Sequence, residues 1–160
     1  MTSNNSNLPQ DFAVCKIDNH EQLQNAHRLR IKVFVDEQGA PPESEIDAID
    51  ADCTHWMLLY LSTKQIIGTI RLVPISQDTC ALGRLCLLKE YRGRGLAGLL
   101  IAEMEREAWA QQYSTIQVHA QTVRVPFYLR AGYQLLDLPE FIEDLIPHKH
   151  MTKTRTADIQ

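Results

Sequence analysis

The segment Arg92-Gly93-Arg94-Gly95-Leu96-Ala97-Gly98 places two guanidinium groups and three glycines within seven residues. It lies between an apolar run, Cys80 to Leu88, and a stretch where Leu96, Leu100, Ile101, Met104 and Ala108 recur at three- and four-residue intervals. That spacing predicts a helix from about Gly95 to Gln111 with one buried face, leaving Glu103, Glu105 and Arg106 on its wet side. The first turn of a helix has unpaired N–H groups and carries about half a positive charge, so a pyrophosphate resting there collects several hydrogen bonds at once. Glycines let the anion approach closely, and the two arginines make a cationic island in an acidic chain.

Three readings compete for the segment. One is a turn with solvated arginines. A second takes Gly93, Gly95 and Gly98 as the GxGxxG fingerprint of dinucleotide folds, which matches letter for letter. That fingerprint follows its strand directly and has a ribose-binding acid about 20 residues on. Here Lys89 to Arg92 intervene, and no Asp or Glu occurs between Glu107 and Asp137. A P-loop fails as well, because no Gly-Lys-Ser/Thr follows.

The third reading is a coenzyme A pyrophosphate site, and on it the chain resembles the GCN5-related N-acetyltransferase (GNAT) superfamily. The loop of that superfamily reads Gln or Arg, any two residues, Gly, any residue, then Gly or Ala, a pattern that Arg92, Gly95 and Ala97 satisfy. The preceding LGRLCLLKEY resembles its central strand, and PFYLRAGYQ resembles its later FY…GF segment. RIKVFVDEQ, EIDAID, His55, the HAQ at 119–121 and IPHKHM are most similar to the ElaA-like branch. The likeness runs from about Phe12 to Lys153, with departures at Lys89 (frequently Pro), Gln121 (often Asn) and Tyr133 (frequently Phe).

The resemblance implies an α/β (α+β) fold, a mixed and mostly antiparallel central sheet flanked by helices on both faces. It implies an N-acetyltransferase that moves an acetyl group from acetyl-CoA to an amine by direct attack on the thioester. The donor would lie along the backbone of Leu85, Cys86 and Leu87, with the Leu87 N–H on the thioester carbonyl. Arg92, Gly93, Arg94, Gly95, Leu96, Ala97 and Gly98 would hold its pyrophosphate. Gln121 and Tyr128 would also meet the donor, Tyr128 facing the sulfur.

Direct transfer needs no acyl-enzyme, so no cysteine has to act as a nucleophile. The amine must lose a proton, the oxyanion needs stabilisation, and the thiolate needs a hydrogen bond or a proton. A phenol near pKa ~10 protonates a thiolate near ~8.5 only uphill, by about 2 kcal/mol, which favours a hydrogen bond from Tyr128 over full transfer. A half-buried helix tyrosine is the alternative for that residue. For the base, Glu37, His55 and His119 all fall in segments that should border the acceptor, with Phe34 as apolar wall or core. His119 within an alternating strand could equally be structural, and Glu37 could cap a loop.

These residues need a scaffold. Phe12 to Ile17 alternates like a strand, and Glu21 to Val35 carries Leu23, Ala26, Leu29, Ile31 and Phe34 near helical spacing. Gly39 to Asp52 holds Pro41, Pro42 and five acids, Glu43, Glu45, Asp47, Asp50 and Asp52. It reads as a long loop with a solvated surface, or as an attractor for a cationic amine. Thr54 to Leu61 and Gln65 to Val73 read as a hairpin with Trp56 in the core, and Cys80 to Leu88 as a third strand. Thr115 to Gln121 is a strand, Pro126 opens a short helix to Arg130, Gly132 ends it, and strands follow at Tyr133 to Leu136 and His148 to Lys153. Residues 1–11 read as a flexible tail and 12–160 as one domain.

Composition bounds the rest. A chain of 160 residues can bury a core of its own, and none of its apolar runs nears the roughly 18 residues of a membrane span. A formal charge of −4 argues against general nucleic-acid affinity. Cys15, Cys53, Cys80 and Cys86 form no CxxC and read as reduced core thiols, which with a polar start lacking a signal pattern points to the cytoplasm. His148 and His150 lack a further ligand, so no metal is expected. The partner is then a small-molecule or peptide amine, and a homodimer is compatible with the sequence. Two rivals remain: an acyl-homoserine-lactone synthase, because RIKVF followed by ExDxxD resembles those enzymes, and a non-catalytic acetyl-CoA sensor.

Overall fold

The computed structural model describes residues 8–156. Its strands are β1 (Phe12–Lys16), β2 (Thr54–Tyr60), β3 (Gln65–Pro74), β4 (Thr79–Leu87), β5 (Thr115–Gln121), β6 (Gln134–Leu135), β7 (Phe141–Glu143) and β8 (Ile146–Thr154). They form one sheet in the order β1-β2-β3-β4-β5-β8-β6, with β7 also paired to β8. Every pairing is antiparallel except β4 with β5. The helices are α1 (His20–Arg30), α2 (Pro42–Glu45), α3 (Leu96–Ala110) and α4 (Val125–Arg130).

β3 explains why the sheet is covered on both sides. Its residues Ile67 to Val73 are all buried, and neighbouring positions point to opposite faces. A Cβ at Gly68 would meet Leu100 of α3 at 3.2 Å, while Arg71 shares Asp50 with Arg30 of α1. The two long helices therefore lie on opposite faces, as the resemblance implied. The apolar stripe expected of α3 is in place: Leu96, Leu100, Ile101, Met104 and Ala108 are all buried.

α1 starts with reciprocal capping. The Asn19 side chain accepts from the Gln22 N–H at 2.8 Å, and the Gln22 side chain accepts from the Asp18 N–H at 2.9 Å. The helical pattern expected to run from Glu21 to Val35 instead changes at Ile31 into a wider π-helical segment, Ile31–Glu37. It closes where Gly39 adopts a left-handed φ of 80°.

The acidic stretch departs most from expectation. Rather than a loop with a solvated surface, it contains α2 and a 3-10 turn at Asp50–Asp52, and both Glu45 and Asp50 are buried. The reason is charge pairing with three arginines drawn from α1, β3 and β4. Arg30 donates to Glu45 Oε1 at 2.8 Å and to both Asp50 oxygens at 2.9 and 3.1 Å. Arg71 donates to Asp47 at 2.9 Å and to Asp50 at 2.8 Å, and Arg84 reaches the Ser44 carbonyl at 3.1 Å and Asp47 at 3.4 Å. Burial alone pushes the Asp50 carboxyl up, but Arg30, Arg71 and His27 together hold it down at about 2.

Other differences are smaller. Of the segment expected as a tail, residues 1–7 lie outside the described residues, and Leu8–Asp11 is a 3-10 turn running into β1. Cys80 and Cys86 are core thiols, whereas Cys15 and Cys53 are only half-buried; all four are free. β7 and the first two residues of β8 were not expected. They form a hairpin whose two-residue turn, Asp144 and Leu145, takes φ of 51° and 71° without glycine.

Candidate active site

The cleft arises where the sheet stops pairing. β4 and β5 run in register from Thr79 opposite Thr115 to Leu82 opposite Val118 and then part. The cause lies on the other edge of β4: while β3 advances two residues from Thr69 to Arg71, β4 uses three, from Cys86 to Gly83. The surplus is absorbed by a bulge at Arg84, whose φ is 51°, and a bulge bends its strand. Gly83 to Leu87 and His119 to Gln121 thus face each other across a cavity of about 1000 Å³.

Of the expected donor residues, Leu85, Cys86, Leu87, Gly93, Gly95, Leu96 and Ala97 line this cavity, as do Arg92, Gln121 and Tyr128. Leu88 donates its N–H to Ile67 of β3 at 2.8 Å, and N–H groups alternate along a strand, so that of Leu87 points the other way, into the cleft. Gly93 and Gly95 have left-handed φ of 78° and 76°. No side chain caps the first turn of α3. A Cβ at Gly93, Gly95 or Gly98 would meet nothing within 4 Å, so the loop is an open cradle of uncapped N–H groups. A diphosphate fits that donor set.

Arg92 is already engaged. Its Nε and Nη2 donate to the Leu87 carbonyl at 3.1 and 2.8 Å, and its Nη1 and Nη2 donate to Glu37 at 2.7 and 3.0 Å. It braces the loop against the end of β4 and the π-helical segment. Arg94 and Gly98 do not line the cavity; the Arg94 guanidinium sits over the Tyr91 ring at 5.4 Å.

The three candidate bases separate. Glu37 does not line the cavity, and the hydrogen bonds from Arg92 hold its carboxyl below the ordinary range, which makes it a poor proton acceptor. His55 is also off the cavity: it is buried, its Nε2 lies 2.9 Å from the Asp50 carbonyl, and burial lowers its pKa. His119 does line the cavity, with Nδ1 3.0 Å from Glu143 Oε1, and that bond raises its pKa. Phe34 lines the cavity and packs against the core.

Tyr128 is buried, edge-on to Phe127 and Tyr133 at 5.1 and 5.7 Å between ring centres. Burial pushes its pKa up, so the phenol keeps its proton. Cys86 lines the cavity, yet burial pushes its thiol up to about 12, so it is no nucleophile at neutral pH. Among the lining residues that escaped the sequence reading are Gln38 and Glu143. Gln38 accepts from Gln121 at 2.8 Å across the cleft, and Glu143 reaches His119 from β7. Among the described residues, no group of three or more His, Cys, Asp or Glu could hold a metal ion, and no helix is long and apolar enough to cross a membrane.

Known proteins are similar to this chain in sequence and in fold. The family model described as an acetyltransferase (GNAT) domain matches residues 19–155. The chain is 36% identical to the uncharacterized N-acetyltransferase YjcF of Bacillus subtilis over 136 residues, covering 84% of this chain and 94% of that one. Its fold is similar to that of Escherichia coli ElaA, with a TM-score of 0.76 at 21% identity, covering 89% of this chain and 97% of the other. A GNAT family acetyltransferase from Elizabethkingia anophelis, solved with acetyl-CoA bound, aligns with a TM-score of 0.66 at 15% identity, covering 91% of this chain and 99% of that one.

Proposed function

The chain belongs to the GNAT acetyltransferase family, and from that premise we propose that it moves an acetyl group from acetyl-CoA to the amine of a small molecule or peptide, by direct attack on the thioester. The observation that carries this reading is that the uncapped start of α3, the end of β4 that β5 leaves free and Tyr128 all line one cavity. That a structural neighbour binds acetyl-CoA supports the choice of donor. Bound there, acetyl-CoA supplies the activated acetyl carbon.

The chain's own residues do the rest. The N–H groups at the start of α3 face the diphosphate, and the Leu87 N–H donates to the acetyl oxygen as charge develops on it. Tyr128 donates a hydrogen bond to sulfur, because its raised pKa makes complete proton transfer costly. Cys86 stays protonated and takes no acyl group. His119, the one expected base that lines the cavity, accepts the amine proton. Reduced thiols throughout suit a cytoplasmic enzyme.

Calorimetry with CoA and acetyl-CoA tests the donor site, and thiol release across an amine panel tests the reaction. Donor binding without amine-dependent thiol release would favour a sensor. Lactone formation with S-adenosylmethionine would favour a homoserine-lactone synthase. No heat with either form of the carrier at millimolar concentration would overturn the proposal.

A further inference from the structure

His119 stands on β5 between two aromatic neighbours and a carboxylate. Strand pairing sets it opposite His150 in β5–β8, and sets Phe141 opposite His148 in β7–β8. Its ring meets Phe141 edge-on at 4.9 Å and 77°, and His150 at 5.0 Å and 89°. Phe141 in turn stacks on His150 at 4.4 Å and on His148 at 5.7 Å, so the aromatic walls brace one another. Nδ1 is fixed by Glu143 at 3.0 Å. Nε2 has no partner among the described residues and is the nitrogen left to act.

We propose that Glu143 is a positioning residue for the transfer, keeping a proton on His119 Nδ1 so that Nε2 is the lone pair presented to the amine. The proposal rests on the transferase reading. In the step it serves, the amine nitrogen's electron pair forms the C–N bond, the C–S pair leaves with sulfur, and the amine proton passes to His119 Nε2. The imidazolium that results keeps Nδ1–H on the Glu143 carboxylate, which stabilises its charge; the proton then returns to sulfur or solvent.

The surroundings agree. The hydrogen bond raises the pKa of His119 and lowers that of Glu143, the signature of a carboxylate that favours the imidazolium. From β8, His148 Nε2 lies 3.9 Å from the other Glu143 oxygen and its Nδ1 lies 2.7 Å from the Ile146 carbonyl. From β4, Arg84 acts on Glu143 across the cavity and lowers its pKa further. Asp144, next in the turn, accepts from Ser44 Oγ at 2.9 Å. Glu143 is therefore the carboxylate that this cluster directs at His119.

The test uses the full-length protein in two measurements. NMR of labelled histidines follows the tautomer and titration of His119 in the wild type and in Glu143→Gln, and thiol release follows kcat/KM against pH. In Glu143→Gln the His119 titration falls towards its ordinary value and its Nδ1–H preference weakens. The acid limb of kcat/KM moves down with it, kcat drops on the order of 10-fold, and KM for acetyl-CoA holds. His119→Gln removes the limb, and Glu140→Gln, a nearby carboxylate outside the site, changes neither readout. An unmoved His119 titration in Glu143→Gln overturns the positioning role even if the rate falls. An unmoved pH profile overturns it while leaving the transferase reading intact. A wild type that releases no thiol with any amine overturns both.

Discussion

Arg92 and Glu37 form a two-pronged ion pair, Nη1 to Oε2 at 2.7 Å and Nη2 to Oε1 at 3.0 Å, and the same guanidinium holds the carbonyl of Leu87. The residue most obviously suited to neutralise a phosphate thus holds the glycine loop in place. Glu37→Gln should raise KM for acetyl-CoA several-fold and leave the pH profile of kcat unchanged, since Glu37 holds the loop and takes no proton. The pair is partly exposed, so urea denaturation should show a loss of only about 0.2–1 kcal/mol.

Gly95→Ala should cost about 1–2 kcal/mol, because φ there is 76° and a Cβ would meet no neighbour, leaving backbone handedness as the whole penalty. Donor affinity should fall with it. Gly98→Ala, inside α3 and equally open, should instead stabilise by up to about 1 kcal/mol. Denaturation midpoints and calorimetry with CoA check both.

Tyr128→Phe should leave stability within about 0.5 kcal/mol, because the hydroxyl has no hydrogen-bond partner among the described residues, while kcat drops 10- to 100-fold on the order expected for a lost hydrogen bond to a developing charge. Steady-state rates beside thermal melts separate the two effects. A variant with full activity at all pH values would remove the phenol from the mechanism.

Asp50 makes stability depend on acid. Its folded pKa of about 2 lies below the ordinary 3.8, so the native state holds its proton less tightly than the unfolded chain. The stabilisation is complete above about pH 4 and is lost as pH falls towards about 2, roughly 2 kcal/mol in all. Glu45, raised by burial, works in the opposite direction. Asp50→Asn should flatten this acid limb of a urea-midpoint series and, by leaving Arg30 and Arg71 short of a partner, cost about 3–5 kcal/mol at pH 7.

The glycine-loop side of the cavity was legible because it is written locally. Arg92, Gly95 and Ala97 sit in one loop, and the helix behind them announces itself through Leu96, Leu100, Ile101, Met104 and Ala108. The side around His119 was not, because its contacts join distant segments. Glu143 meets His119 only through the β7–β8 hairpin, and that hairpin turns on Asp144-Leu145 rather than the Asn-Gly that usually marks such a turn. The acidic stretch misled for a related reason. Glu45, Asp47 and Asp50 look solvent-facing until Arg30, Arg71 and Arg84 arrive from three other elements. Glu37 and His55 do not line the cavity, because Arg92 and the Asp50 carbonyl engage them elsewhere.

The surplus residue in β4 carries a lesson about inheritance. Where a groove exists because one strand is a residue longer than its neighbour requires, arithmetic matters more than spelling. Arg84→Gly suits a φ of 51° and keeps the count, whereas deleting position 84 would let β4 realign with β3 and straighten alongside β5. Glycine at position 84 would keep the groove and give up the Arg84 contacts to Ser44 and Asp47, but losing a codon there would close the groove itself.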